Sequence, residues 1–154
     1  MKTHIYLLFL LFFIFLLSCT QKEVEKPIIY GEEVVLKRYE DSTKMMVIQY
    51  NVEDTAFAFK TYFYRNGGKY MAGGLHNGLR NGQWSAWDES GKILTIGNYV
   101  DGMSQGLKIV YFTNGNKRYE GQLEQNERIG IWKFWNEQDS LVKEIDYGQP
   151  KPQP

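Results

Sequence analysis

The stretch "GQWSAWDESGKILTIGNYVDGMSQ", residues 82–105, is followed by two further stretches of the same design. They read "GLKIVYFTNGNKRYEGQLEQNERI", residues 106–129, and "GIWKFWNEQDSLVKEIDYGQP", residues 130–150. Glycine therefore recurs at Gly82, Gly106 and Gly130, with a period of 24 residues. Because a fixed period of this length marks a repeat architecture, we take one hairpin-sized unit as the building block of the fold.

Each unit carries two turn signals, separated by segments without proline that are rich in Ile, Val, Tyr, Phe and Trp. The first signals are Asn66-Gly67, Ser90-Gly91, Asn114-Gly115 and Gln138-Asp139, and the second are Asn77-Gly78, Asp101-Gly102 and Gln125-Asn126. Asn-Gly and Asp-Gly favour two-residue hairpin turns, because both central residues take positive φ. No 3.6-residue apolar stripe persists between units. We therefore predict an all-β fold, an elongated antiparallel meander of repeated β-hairpins with about ten strands in five units.

A two-residue turn at Ser90-Gly91 also predicts the strand register. The expected pairs are Trp87 with Leu94, Trp84 with Gly97, Gly82 with Tyr99, Gly106 with Leu123 and Gly130 with Tyr147. A large side chain opposite glycine would fill the space that the glycine leaves open. Toward the N-terminus, Tyr39 aligns with Phe63 and Asp54 with Gly78. Residues 27–57 are therefore predicted to be a degenerate first repeat or cap, and residues 58–148 to be the regular repeats.

The N-terminal segment carries an export signal. Ile5 to Leu17 is an apolar run that is long enough for a signal peptide and too short to span a bilayer. It ends in Leu16-Leu17-Ser18-Cys19, which resembles a bacterial lipobox. We predict a lipoprotein signal peptide over residues 1–18, acylation of Cys19, a tether over residues 19–26 and a disordered tail over residues 149–154. A non-lipidated signal peptide and an uncleaved anchor are the alternatives.

From these features we expect the protein at the bacterial cell envelope, lipid-anchored to the inner or the outer membrane. The chain holds 18 basic and 18 acidic residues, and loss of Lys2 with the signal leaves it near neutrality. A nucleic-acid partner is not expected, because proteins that bind nucleic acids normally carry an excess of basic residues. Cys19 is the only cysteine, so an intrachain disulfide is not possible.

The sequence offers few candidates for catalysis. His76 is the only histidine after the signal, and we interpret it as a solvated turn residue. Asp88, Glu89 and Asp101 are the remaining acid–base candidates, but aspartate is common beside turns for local hydrogen-bonding reasons. We therefore predict no catalytic residues, no metal site, no cofactor and no enzymatic activity.

The patterns "GxWxxWDExGK…GNYVDG" and "GIWKFWNE" resemble the MORN-repeat variant found in bacterial proteins labelled YwqK-type antitoxins. The resemblance covers residues 59–147, with Lys108 standing where Trp84 and Trp132 stand in the other units. It implies a sheet of repeated hairpins that acts as a membrane-associated interaction or scaffolding module. The antitoxin label implies an alternative, an inhibitor that neutralises a specific toxin.

The repeat also suggests where a partner binds. Positions that keep an aromatic residue in every unit are predicted to form the core of the sheet: Phe63, Trp87, Tyr111 and Trp135. A second set changes character and falls on the opposite face by the alternation of a strand: Lys60, Trp84, Lys108 and Trp132. Alternating cations and indoles suit a glycan, an anionic lipid headgroup or an acidic protein edge. Alternatively, Trp84 and Trp132 only cover glycine gaps such as Gly97.

Overall fold

The computed structural model describes residues 28–150, which form one antiparallel sheet of ten strands. The strands are β1 (Val34–Arg38), β2 (Lys44–Tyr50), β3 (Phe57–Phe63), β4 (Lys69–His76), β5 (Leu79–Trp87), β6 (Ile93–Val100), β7 (Met103–Tyr111), β8 (Lys117–Glu124), β9 (Glu127–Trp135) and β10 (Leu141–Asp146). They lie side by side in chain order, with β1 and β10 at the two edges. The predicted all-β meander of repeated hairpins is confirmed.

Several predictions fall outside the part of the chain that the structure describes. They are the signal peptide over residues 1–18, the acylation of Cys19, the tether over residues 19–26, and the tail beyond Pro150. Over residues 28–150, no helix has the length and apolar character required to cross a bilayer.

The turns that follow β4, β6 and β8 have the predicted two-residue form. Asn77 and Gly78 have φ of 50° and 79°, and Asp101 and Gly102 have φ of 47° and 84°. Positive φ at both central residues is the mark of a type I′ turn, whose twist matches that of the flanking strands. In the first unit, a longer loop that contains Asp54 takes the place of this turn between β2 and β3.

The turns that follow β3, β5, β7 and β9 are longer than predicted. The Asp88 N–H donates to Lys92 O at 2.9 Å and the Gly91 N–H to Asp88 O at 3.0 Å, which leaves a loop of three residues with positive φ only at Gly91. Trp87 therefore pairs with Ile93, whereas Leu94 was expected. Such a loop uses a glycine at its last position, so the same Gly signal serves either turn length.

The turn hydrogen bonds also correct the alignment of the first unit. The Tyr39 N–H donates to Thr43 O and the Tyr64 N–H to Gly68 O, so Tyr39 corresponds to Tyr64 and not to Phe63. The Tyr39 hydroxyl then donates to Phe63 O at 2.8 Å and the Tyr64 hydroxyl to Trp87 O at 2.9 Å. Neighbouring hairpins are therefore joined at this end by the same contact.

The glycines of the opening stretch pair as predicted, for a different physical reason. Gly82 lies opposite Tyr99 and Gly106 opposite Leu123, and the Tyr147 N–H donates to Gly130 O at 3.0 Å. However, a Cβ at any of the three glycines would meet no atom within 4 Å. What they share is a positive φ, of 75°, 82° and 59°. Each glycine therefore supplies a left-handed backbone position at a β-bulge, where a larger residue is strained.

The main hydrophobic cluster lies on the face that was predicted to bind a partner. Trp84 packs there with Ile48, Ala58 and Leu75, and Trp132 is 1% exposed. The residues predicted as core, Phe63, Trp87, Tyr111 and Trp135, are only partly buried. The tryptophans predicted to bind a partner are thus more buried than those predicted to form the core. Alternation assigns them correctly to opposite faces, but it does not tell which face of a single sheet is better covered.

Candidate binding face

One row of residues crosses the sheet at mid-strand and contains all four residues that the sequence singled out. Strand pairing places Lys60 opposite Gly73, Gly73 opposite Trp84, Trp84 opposite Gly97, and Gly97 opposite Lys108. The row continues through Gly121 to Trp132. We call it the central row. Directly opposed residues of an antiparallel sheet point to the same face, so the structure brings Lys60, Trp84, Lys108 and Trp132 together.

The two tryptophans of the central row are core residues. A Cβ on Gly73 would lie 2.4 Å from the nearest indole atoms of Trp84, and one on Gly121 would lie 2.2 Å from Trp132. The indole N–H groups donate to Gly74 O at 2.8 Å and to Gln122 O at 3.1 Å. With 3% and 1% of their surfaces exposed, these indoles have no open face for stacking on a ligand. They cover glycine gaps, as the alternative interpretation held, and the gap under Trp84 is Gly73.

Two arginines lie over the buried indoles. The Arg80 guanidinium carbon is 4.4 Å from the centre of the Trp84 ring, and the Arg128 carbon is 4.4 Å from that of Trp132. Arg80 also donates to the Tyr99 hydroxyl at 3.3 Å, and Arg128 to that of Tyr147 at 2.7 Å. Cation–π attraction and these hydrogen bonds hold each guanidinium above the central row. Each of the two buried indole rings is therefore covered by an arginine guanidinium group.

The repeated β-bulge explains how arginine reaches tryptophan. On β4, Gly73 and Leu75 are two residues apart, and their partners Trp84 and Arg80 on β5 are four residues apart. In a regular strand, four residues span about 13 Å, whereas two span about 7 Å. The bulge at Gly82 takes up the extra residues and brings Arg80 within reach of the indole, and Gly130 stands between Arg128 and Trp132 in the same way.

The remaining units supply the charge differently. Lys60 and Lys108 occupy the central row themselves, and the positions that correspond to Arg80 and Arg128 hold Ala56 and Ser104. Each of the four units from β3 to β10 thus provides one cation at the central row, either a lysine of the row or an arginine on an indole. We name this set the cation column: Lys60, Arg80, Lys108 and Arg128.

The charges of the sheet are segregated between its faces. All carboxylates within β3–β10 alternate with residues of the column face and so point to the other side: Glu120, Glu124, Glu127, Glu144 and Asp146. There Lys117 lies 3.2 Å from Glu120, and Lys133 lies 3.5 Å from Glu144. Over residues 28–150, no carboxylate oxygen comes within 4.0 Å of a column cation. Within strands β3–β10, the column face therefore carries cations and no carboxylate.

Asp88, His76 and Asp101, the acid–base candidates with contacts in the structure, make those contacts in turns or at the end of a strand. Asp88 accepts hydrogen bonds from Ser90 and from the backbone of Lys92, and the Ser90 hydroxyl in particular holds the pKa of Asp88 below its usual value. His76 ends β4, where its ring stacks on Phe57 at 4.5 Å and its Nδ1 is 3.8 Å from an Asp101 oxygen. In the described residues, no three metal-ligating side chains cluster. An ionised, hydrogen-bonded Asp88 is suited to capping its turn.

The site predicted from the sequence did not include Arg80 or Arg128. Their signal is the pattern Arg-x-Gly-x-Trp, which spans residues 80–84 and recurs at residues 128–132. Four residues separate the arginine from the tryptophan, and only the glycine bulge between them makes that spacing a contact. Neither a protein-family model nor a curated protein sequence matches this chain.

Proposed function

We propose that the chain is a non-catalytic binding module of the bacterial cell envelope, held to a membrane through an acylated Cys19. Its binding surface is the cation column. The observation that carries this proposal is that each of the four units from β3 to β10 places one cation at the central row by one of two unrelated arrangements. Packing alone does not require a charge there, because exposed charges contribute little to folding stability.

The resemblance to MORN-repeat variants supports an interaction module over an enzyme. That fold presents a broad regular surface with few convergent polar groups, whereas catalysis needs acid, base or nucleophile in mutual reach. The carboxylates of β3–β10 and the column cations lie on opposite faces, so they do not form such a group. The lipobox-like Leu16-Leu17-Ser18-Cys19 supports the anchor and the envelope location.

The anchor is tested on protein purified from its native host. Mass spectrometry is expected to find Cys19 as the first residue with acyl chains, since two or more chains give stable attachment. Cys19→Ser should release the protein from the membrane fraction or leave the precursor unprocessed. An intact Met1 or an unmodified Cys19 on the wild-type protein contradicts the anchor.

The binding surface is tested by co-purification from envelope extracts with two matched variants. Lys60→Gln/Lys108→Gln removes two charges from the column, and Lys117→Gln/Lys133→Gln removes two from the opposite face. An envelope component that the control retains and the column variant loses is expected. Identical components on both variants contradict the proposal, and a column-dependent protein toxin would favour the antitoxin-like alternative.

A further inference from the structure

We infer that the cation column binds an extended anionic polysaccharide that carries one negative charge per disaccharide. The inference rests on the proposed function and specifies the partner class of the same surface. The polymer would run across the strands, along the central row, with each of its charges above one cation of the column.

The spacing of the column carries this inference. Its four cations come from β3, β5, β7 and β9, one from every second strand. Neighbouring strands lie about 4.8 Å apart, so the strands that carry successive cations lie about 9.6 Å apart. A pyranose ring in an extended chain advances the polymer by roughly one strand spacing. Two rings therefore match one interval between cations.

An acidic peptide fits this interval less well. Same-side residues of an extended peptide recur about every 6.8 Å, and successive turns of a helix every 5.4 Å. A membrane surface sets no interval, since lipid headgroups move laterally. It also favours cations spread over an area, whereas these four follow one row: two lysines belong to it and two arginines lie over its indoles. The line and its period both point to a linear polymer.

The groups beside the column suit a sugar. Arg80 and Arg128 donate to the oxygens of Tyr99 and Tyr147, so each tyrosine hydroxyl accepts from an arginine and retains its own proton for donation. Guanidinium groups bind carboxylate or phosphate through two N–H groups at once. Lys60 lies 5.3 Å from the centre of the Tyr62 ring, so an aromatic surface adjoins this cation as well. The charges of a ligand would thus contact the guanidinium and ammonium groups, and its hydroxyls would contact the tyrosines.

The test uses the full chain, purified in a non-ionic detergent, and hyaluronan oligosaccharides as the probe, because hyaluronan carries one carboxylate per disaccharide. Binding is measured by calorimetry for chains of two, three, four and six disaccharides. Affinity is expected to rise up to four disaccharides and then to level off, because the column holds four cations. It should fall as salt is added, since ion pairs at a surface are screened. Neutral dextran should not bind.

The variants connect binding to the column. Lys60→Gln/Lys108→Gln is expected to weaken binding of the four-disaccharide chain about tenfold, while Lys117→Gln/Lys133→Gln leaves it within about twofold. Hyaluronan binding that is absent, that ignores chain length, or that is equally weakened in both variants overturns the inference. So does column-dependent binding to phosphatidylglycerol vesicles or to polyglutamate without binding to hyaluronan. In those two cases, a column-dependent envelope component would still support the proposed function.

Discussion

Replacing one glycine by alanine in two neighbouring units should change stability in opposite directions. Gly73 and Gly97 both lie in the central row, and neither has a positive φ. A Cβ at Gly73 would lie 2.4–2.5 Å from three atoms of Trp84, whereas one at Gly97 would lie 3.8 Å from Tyr99 and 4.0 Å from Lys108. The first position has no room for a methyl group, and the second has ordinary van der Waals contact.

The magnitudes follow from these contacts. Trp84 cannot turn aside, because its ring is buried and its N–H is bound to Gly74 O. Overpacking of this kind costs about 1–3 kcal/mol, while alanine recovers about 0.4–1 kcal/mol by restricting the unfolded chain. Gly73→Ala should therefore lower the free energy of unfolding by about 1–2 kcal/mol, or Tm by roughly 3–8 °C. Gly97→Ala has only the favourable effect and should raise stability by about 0.4–1 kcal/mol.

Urea and thermal unfolding, followed by circular dichroism, measure both variants. A third variant, Gly73→Ala/Trp84→Lys, places at position 84 the residue type that the next unit has at position 108. In this lysine background, alanine at position 73 should no longer lower stability relative to Trp84→Lys alone. Equal destabilisation by Gly73→Ala and Gly97→Ala, or a penalty that persists without the indole, would refute the reasoning, because the glycines would then serve the backbone.

Three further predictions use the same unfolding measurements. Trp84→Ala should cost about 3–5 kcal/mol and Trp87→Ala clearly less, because the Trp87 indole is partly exposed; equal losses would contradict the assignment of the core. Ser104→Arg/Lys108→Trp should raise stability by on the order of 1 kcal/mol and keep hyaluronan binding, since the new indole covers Gly97 and carries the new arginine; a loss of binding would count against the column. The lowered pKa of Asp88 stabilises the fold above the ordinary value of 3.8, and this contribution disappears as pH falls through the folded pKa; the stability difference between wild type and Asp88→Asn should therefore vanish at low pH, and a difference that persists in acid would disprove it.

The register of the sheet could be predicted because glycines mark the turns from which the residues of each strand are counted. Trp84 opposite Gly97 and Gly106 opposite Leu123 follow from counting residues between turns. Counting failed at Trp87, since a three-residue loop ending in glycine has the same signal as a two-residue turn. The physical role of Gly82 was also hidden, because a glycine kept for positive φ and one kept for space look alike in sequence.

The candidate site was half predictable. Lys60 and Lys108 stand out because they replace tryptophan in the repeat, and alternation places them on one face with Trp84. Whether that tryptophan is buried depends on the space that its glycine partner leaves on the neighbouring strand. The spacing of residues in the sequence does not give the size of that space. Arg80 was missed because its contact with the indole requires a β-bulge, and a bulge changes which residues of a strand are neighbours.

Strands that pair only with their sequence neighbours have a consequence for export. If the chain is exported as proposed, its N-terminal strands cross the membrane first, and β1 and β2 can pair before later strands have crossed. Each arriving strand then adds to the open edge of the strand before it, which presents unpaired backbone groups as a template. No step waits for a distant segment, so little loop-closure entropy is lost at any stage. The meander can therefore fold at the rate at which the chain is delivered, and in the proposed lipoprotein it would do so while attached through Cys19.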